Sequence, residues 1–143
     1  MRIAVYAFDG ITLFHLSIPQ MVFGTVSRLG LADWKVSLFT TASELAVLPE
    51  EATALEEGAS PPPTAPSRTA AIRTSEGYIL DGLGGLELAS EADVVVLPAW
   101  FADGRPAGEE LCSLLKTAHA RGACVVGLCL GAIPLAEAGL IGG

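Results

Sequence analysis

The stretch Gly127-Leu128-Cys129-Leu130-Gly131-Ala132 concentrates this chain's potential for chemistry. An ionised thiol is a strong nucleophile, and flanking glycines let a cysteine sit at a turn too sharp for bulkier neighbours. Ala123–Leu128 before it is an apolar run of strand length, and Leu130–Ala138 after it reads as helix, ended by Gly139. Strand, tight turn and helix in that order would lift the Cys129 side chain above the end of a buried strand. The free N–H groups and positive dipole end of the helix would lie behind the sulfur, where they favour a thiolate. Gly127 and Gly131 would be needed because backbone passes close on both sides of such a turn. The plainer reading of Cys129 is a small buried apolar residue. Catalysis asks for more than a thiol: a base and orienting partners must lie within reach. The chain has two histidines, His15 and His119. Only His15, near a helix start, could reach a crevice above the strands; its plainer role is a satisfied or solvent-facing residue. Cys112, on a helix, and Cys124, in a strand, read as packing residues. No histidine or cysteine pair has zinc spacing, so neither a metal nor a cofactor is expected.

The elements that must position this turn alternate. Arg2–Ala7 is a short β-rich run closed by Asp9-Gly10. A helix follows, with Ser17 as N-cap and Pro19 in its first turn, running to about Arg28; Met21, Val22, Val26 and Leu29 form an apolar stripe expected to face the core. Trp34–Thr40 alternates as a second strand. Ala71–Arg73 and Tyr78–Leu80 flank Ser75-Glu76-Gly77 as a small hairpin or a bent strand. Val94–Leu97 is a continuous apolar run closed by Pro98, the pattern of a strand buried on both faces. Gly108–Arg121 is helical, with Leu111, Leu114, Leu115 and Ala118 on one face. Such alternation with short loops predicts a parallel sheet with helices on both sides. Trp100 and Phe101, directly after a strand's carboxyl end, either line a pocket or cap the core.

The size, 143 residues, is that of one domain. Residues 44–70 fit least: they are rich in glutamate and proline and read as a surface insertion within that domain. Mean hydropathy is +0.52, yet no apolar run approaches the roughly 20 residues of a spanning helix. Nor does the start read as a signal peptide, so a cytoplasmic protein is expected. Eight basic against sixteen acidic residues give a charge of −8, which argues against nucleic-acid binding by this chain alone. Three cysteines in a chain of this size do not form a disulfide framework.

The segments VVGLCLGAIPLAEAGLIGG, ADVVVLPAW and FDGITLFHLSIPQMVFG together resemble the ThiJ/PfpI superfamily of class I glutamine amidotransferase-like domains. Within it, the resemblance is strongest to the N-terminal domains of AraC-type transcription regulators; isonitrile hydratases and PfpI-like proteins are the enzymatic relatives. The resemblance implies a flavodoxin-like α/β three-layer sandwich with a mostly parallel sheet. It places the elbow cysteine at Cys129, backbone oxyanion donors near Ala99 and Leu130, and a ligand crevice formed with Asp9, Gly10 and Trp100. It also exposes departures. The acidic partner of the thiol in enzymatic members maps onto Met21, and His15 stands where relatives often carry an aspartate before the first helix. Ala99 replaces a usual glycine. The family histidine that follows the cysteine has no counterpart, because His119 precedes Cys129 and faces the other end of the sheet.

These departures lead to the expectation of a ligand-sensing or dimerisation domain of an AraC-type regulator with a non-catalytic cysteine. On this reading the domain is partial and C-terminally truncated over residues 1–143, and the helix-turn-helix domain lies outside the chain. A small-molecule ligand and a homo-oligomer are its expected partners, with no membrane. The alternatives are a cysteine-dependent hydrolase or hydratase, isonitrile hydratase-like, and a fragment without independent function.

Overall fold

A computed structural model describes residues 1–41 and 70–142. The insertion expected at 44–70 lies outside the described residues, apart from Ala70. Four parallel strands form the main sheet: β1 (Arg2–Tyr6), β2 (Lys35–Phe39), β5 (Val94–Leu97) and β6 (Cys124–Gly127), in the order β2-β1-β5-β6. Between β2 and β5 the chain makes an antiparallel hairpin, β3 (Ala70–Arg73) and β4 (Ile79–Leu83), with a bulge between Ala70 and Ile72. Gly84 joins this hairpin to the end of β2 through Gly84 N–H to the Leu38 carbonyl and Thr40 N–H to the Gly84 carbonyl, both 3.0 Å.

Helices α1 (Leu13–Arg28), α2 (Leu86–Glu91), α3 (Glu109–Ala120) and α4 (Ala132–Glu137) complete the described fold. The strand order steps from β1 outward to β2, then back across β1 to β5 and on to β6. Right-handed crossovers therefore put α1 on one face and α2 and α3 on the other, and α2 and α3 do pack together. The core lies between these layers. Ile3, Val5, Tyr6, Val95, Val96 and Leu97 from the two central strands are all but solvent-free, and Leu111, Leu115 and Ala118 of α3 cover them as the sequence predicts.

Three expectations need correction. Helix α1 begins more than a turn earlier than Ser17: Thr12 is its N-cap, Pro19 lies inside it, and the Ser17 hydroxyl donates back to the Phe14 carbonyl at 2.8 Å. Helix α1 also turns its apolar stripe the other way. Leu16 and Pro19 are its buried residues, whereas Met21, Val22 and Leu29 face outward. Finally, β6 is an edge strand, half-buried rather than sealed on both faces, and Cys124 is exposed. Helix α2 has no counterpart in the sequence reading.

Candidate functional site

Three loops leave the carboxyl ends of β1, β5 and β6 and meet in a crevice of about 260 Å³. The β1–α1 loop and the start of α1 contribute Phe8, Gly10, Ile11, Thr12 and His15; the loop after β5 contributes Ala99, Trp100 and Phe101; the turn after β6 contributes Cys129 and Leu130. The sheet reverses its winding between β1 and β5, and open α/β sheets form ligand crevices at such points.

The β6 turn has the geometry its glycines imply. Cys129 adopts φ 54° and is the only non-glycine in the left-handed region among the described residues. This costs about 1–2 kcal/mol for a residue with a Cβ. A 3-10 turn over Cys129–Gly131 leads directly into α4. Neighbouring backbone leaves no room for larger residues. A Cβ on Gly131 would lie 2.1 Å from the Leu97 carbonyl oxygen, and one on Gly127 would lie 2.6 Å from the Gly131 carbonyl oxygen. The two glycines thus let β6, the turn and the end of β5 stack closely enough to present Cys129, which is exposed, at the crevice.

The opposite wall is held by distant parts of the chain. Thr12 Oγ1 accepts the His15 N–H at 3.2 Å, capping α1, and shares a 2.5 Å hydrogen bond with His15 Nδ1. Glu76, in the hairpin turn, accepts the Leu13 N–H at 2.8 Å and 3.3 Å through its two oxygens. That bond above all holds the Glu76 carboxyl below the ordinary carboxylate range, a little burial opposing it. Ser75 N–H donates to the Ile11 carbonyl, and Gly10 N–H to the Arg73 carbonyl. The hairpin therefore clamps the crevice loop along most of its length. Sequence reasoning missed Glu76 because its partner is 63 residues away; only its place beside a helix N-terminus explains it.

The third wall is aromatic. Trp100 stacks on Tyr6 and meets Phe8 and Phe101 edge-on. Its indole N–H donates to the Arg105 carbonyl at 3.1 Å, and the Arg105 guanidinium lies 3.6 Å from the Phe101 ring centre. Asp103 binds that guanidinium, which holds the Asp103 carboxyl below its usual range. Trp100 both caps the core and lines the crevice.

Of the residues singled out from sequence, Gly10, His15, Ala99, Trp100, Cys129 and Leu130 line one crevice. Asp9 does not: its carboxylate accepts the Arg73 N–H at 2.8 Å and serves the hairpin clamp instead. Nor does Met21, which stands exposed on α1 outside the crevice lining. His15 is the third residue of α1 rather than a residue before it. His119 is exposed near the end of α3, which leads into the opposite end of β6. Cys112 is half-buried on α3, and burial, reinforced by Glu137, pushes its thiol pKa up. A second depression, of about 290 Å³, lies between α2 and α3 and is largely apolar.

No protein-family model matches the sequence, and no curated protein matches it. Solved structures do. An AraC family transcriptional regulator from Pseudomonas putida superposes with a TM-score of 0.65 at 17% identity, covering 97% of this chain and 61% of the regulator. A protease I-like protein from Bacteroides thetaiotaomicron gives 0.64 at 18% identity over 99% of this chain and 70% of its own. The fold is that of the ThiJ/PfpI proteins. A DJ-1 superfamily protein from Salmonella typhimurium shares it, with a TM-score of 0.55, 17% identity, and coverage of 97% of this chain and 61% of that one. The chain thus spans about three-fifths of the length of the regulator it resembles. No helix among the described residues is long and apolar enough to cross a membrane.

Proposed function

We propose that this chain is a ligand-sensing or dimerisation domain of a transcription regulator of the AraC type, with a cysteine turn that binds rather than turns over its ligand. One observation carries the reading. Among the ten lining residues, the Cys129 thiol and the His15 imidazole are the only titratable groups, and Thr12 already engages His15 Nδ1. Hydrolysis or hydration through a thiol needs a group to take its proton and return it to the leaving atom. With no carboxylate among the described lining residues, that work falls to His15. The crevice is better suited to hold a small, mostly apolar or aromatic molecule against Trp100 and Phe101. Backbone N–H groups of Ala99 and Leu130 would meet a ligand oxygen. The volume, at the lower end for ligand pockets, fits a small metabolite better than a peptide.

The likeness to a regulator supports this reading, and the charge of −8 fits a domain that does not itself contact DNA. On this reading the protein works in the cytoplasm. The test is the coding sequence beyond Gly143: a helix-turn-helix is expected, and an open frame that ends there would count against a regulator. A cysteine-dependent hydrolase or hydratase is the second reading. It is favoured by the strained φ of Cys129, since strained backbone gathers at catalytic sites.

A further inference from the structure

The depression between α2 and α3 shares no residue with the crevice, and its lining has a direction. Glu110, Leu114, Thr117 and Arg121 follow one another at the three- and four-residue spacing that sets them along one side of α3 and its end. Leu86 and Ala89 of α2 line the other side. Its floor is small: Ala89 and Ala118 are the two buried residues of the lining, and neither side chain is long enough to fill the space between the helices. The result is an open, largely apolar trough of about 290 Å³. From Glu110 to Arg121 it follows three turns of α3, roughly 16 Å at the helical rise.

We infer that this trough binds a short unbranched aliphatic carboxylate, its head at Arg121 and its chain lying toward Leu114 and Leu86. The two ends differ in charge. Glu109 and Glu110 stand in the first turn of α3, whereas Lys116 and His119 lie near its end and Arg121 just beyond it. A carboxylate is therefore repelled at one end and attracted at the other, which fixes the direction of the ligand. Arg121 is also held ready. Its Nη2 donates to the Ala89 carbonyl at 3.0 Å, which ties the guanidinium to the α2 wall. It pairs with no carboxylate among the described residues, so the rest of its five N–H donors are left for a carboxylate head. Between the charged ends the lining offers methyl and methylene groups, which favour an apolar body. A long trough over an alanine floor takes an extended chain. This site is separate from the crevice and does not depend on the function proposed for it.

Titration of the ¹⁵N-labelled full chain with hexanoate, followed through its amide resonances, tests the assignment. Hexanoate should shift the Ala89, Leu114 and Ala118 amides saturably at about millimolar concentration, the strength expected of a ligand with few heavy atoms. The uncharged 1-hexanol should bind about tenfold more weakly, since it forgoes a charge-assisted hydrogen bond. Arg121→Gln should weaken hexanoate by about the same factor and leave 1-hexanol unchanged. Lys116→Gln, on α3 but outside the lining, should alter neither. Ser113→Phe, at an exposed lining position, should fill the trough and abolish both. The absence of a saturable shift, or shifts confined to crevice amides such as those of Ala99 and Cys129, overturns the site. Hexanoate that still binds Ser113→Phe overturns it too, whether or not Arg121→Gln folds. Equal binding of 1-hexanol and hexanoate, or an Arg121→Gln affinity no lower than that of Lys116→Gln, overturns the carboxylate.

Discussion

Two helix starts face each other across the crevice, and the chain treats them differently. At α1 the exposed N–H groups are covered twice, by the Thr12 hydroxyl and by the Glu76 carboxylate. At the β6 turn the N-cap residues Leu128 and Gly131 give the 3-10 turn and α4 no side-chain cap, and Cys129 sits there in a left-handed conformation. The first start is built for stability, because every capped donor is one fewer unsatisfied group. The second spends stability on access, leaving a thiol and open backbone beside an apolar pocket. One wall of the crevice is thus a clamp and the other a presentation surface.

Breaking the presentation side should have the largest effect. Gly131→Ala drives a Cβ into the Leu97 carbonyl, so we predict a loss of about 3 kcal/mol in urea denaturation. Clamp variants should cost less: Thr12→Ala removes an N-cap and should lose about 1 kcal/mol in the same assay. The strain at Cys129 inverts an ordinary preference. Glycine adopts a positive φ without penalty, so Cys129→Gly should be more stable than Cys129→Ala by about 1 kcal/mol. Equal stability would mean that the turn relaxes once the thiol is gone.

Glu76 sharpens the contrast through pH. Its carboxyl is held below the ordinary range in the folded chain, so the unfolded chain binds the proton more readily. The stability it contributes is present above the unfolded value and is lost as pH falls through the folded one. Glu76→Gln should flatten the acid limb of the melting-temperature profile, leaving a weaker slope in the same direction from Asp103. A profile unchanged by that substitution would mean that the hairpin does not clamp α1. The smallest effect is kinetic. Iodoacetamide should label Cys129, exposed at the crevice, faster than Cys112, whose thiol is half-buried and shifted up.

Much of this was legible in the sequence where apolar runs end in glycine or proline. Strand β5, helix α3 and the turn at Cys129 follow directly from Pro98, Gly108, Gly122, Gly127 and Gly131, because these residues leave the chain few choices. The start of α1 was not legible. Pro19 looks like a first-turn residue, and the true cap combines Thr12 with a glutamate from the hairpin. Periodicity showed that α1 has an apolar stripe but not which side the core lies on, and the helix has two. Helix α2 escaped because six residues starting at a glycine cap give too short a period to read. Within the crevice, Cys129, Trp100 and His15 were visible as residue types. The hydrogen bond from the Arg73 N–H of the neighbouring hairpin to the Asp9 carboxylate does not show in the sequence.

On the reading proposed here, a presented thiol whose one titratable companion among the described lining residues is His15 binds without turning over. The direct measurement is product formation from a panel of amide, glyoxal and isonitrile compounds, run with the unaltered chain, Cys129→Ala and His15→Asn. No product above the Cys129→Ala background is expected for any compound. Turnover that vanishes in Cys129→Ala and falls with His15→Asn would contradict it and establish the enzyme.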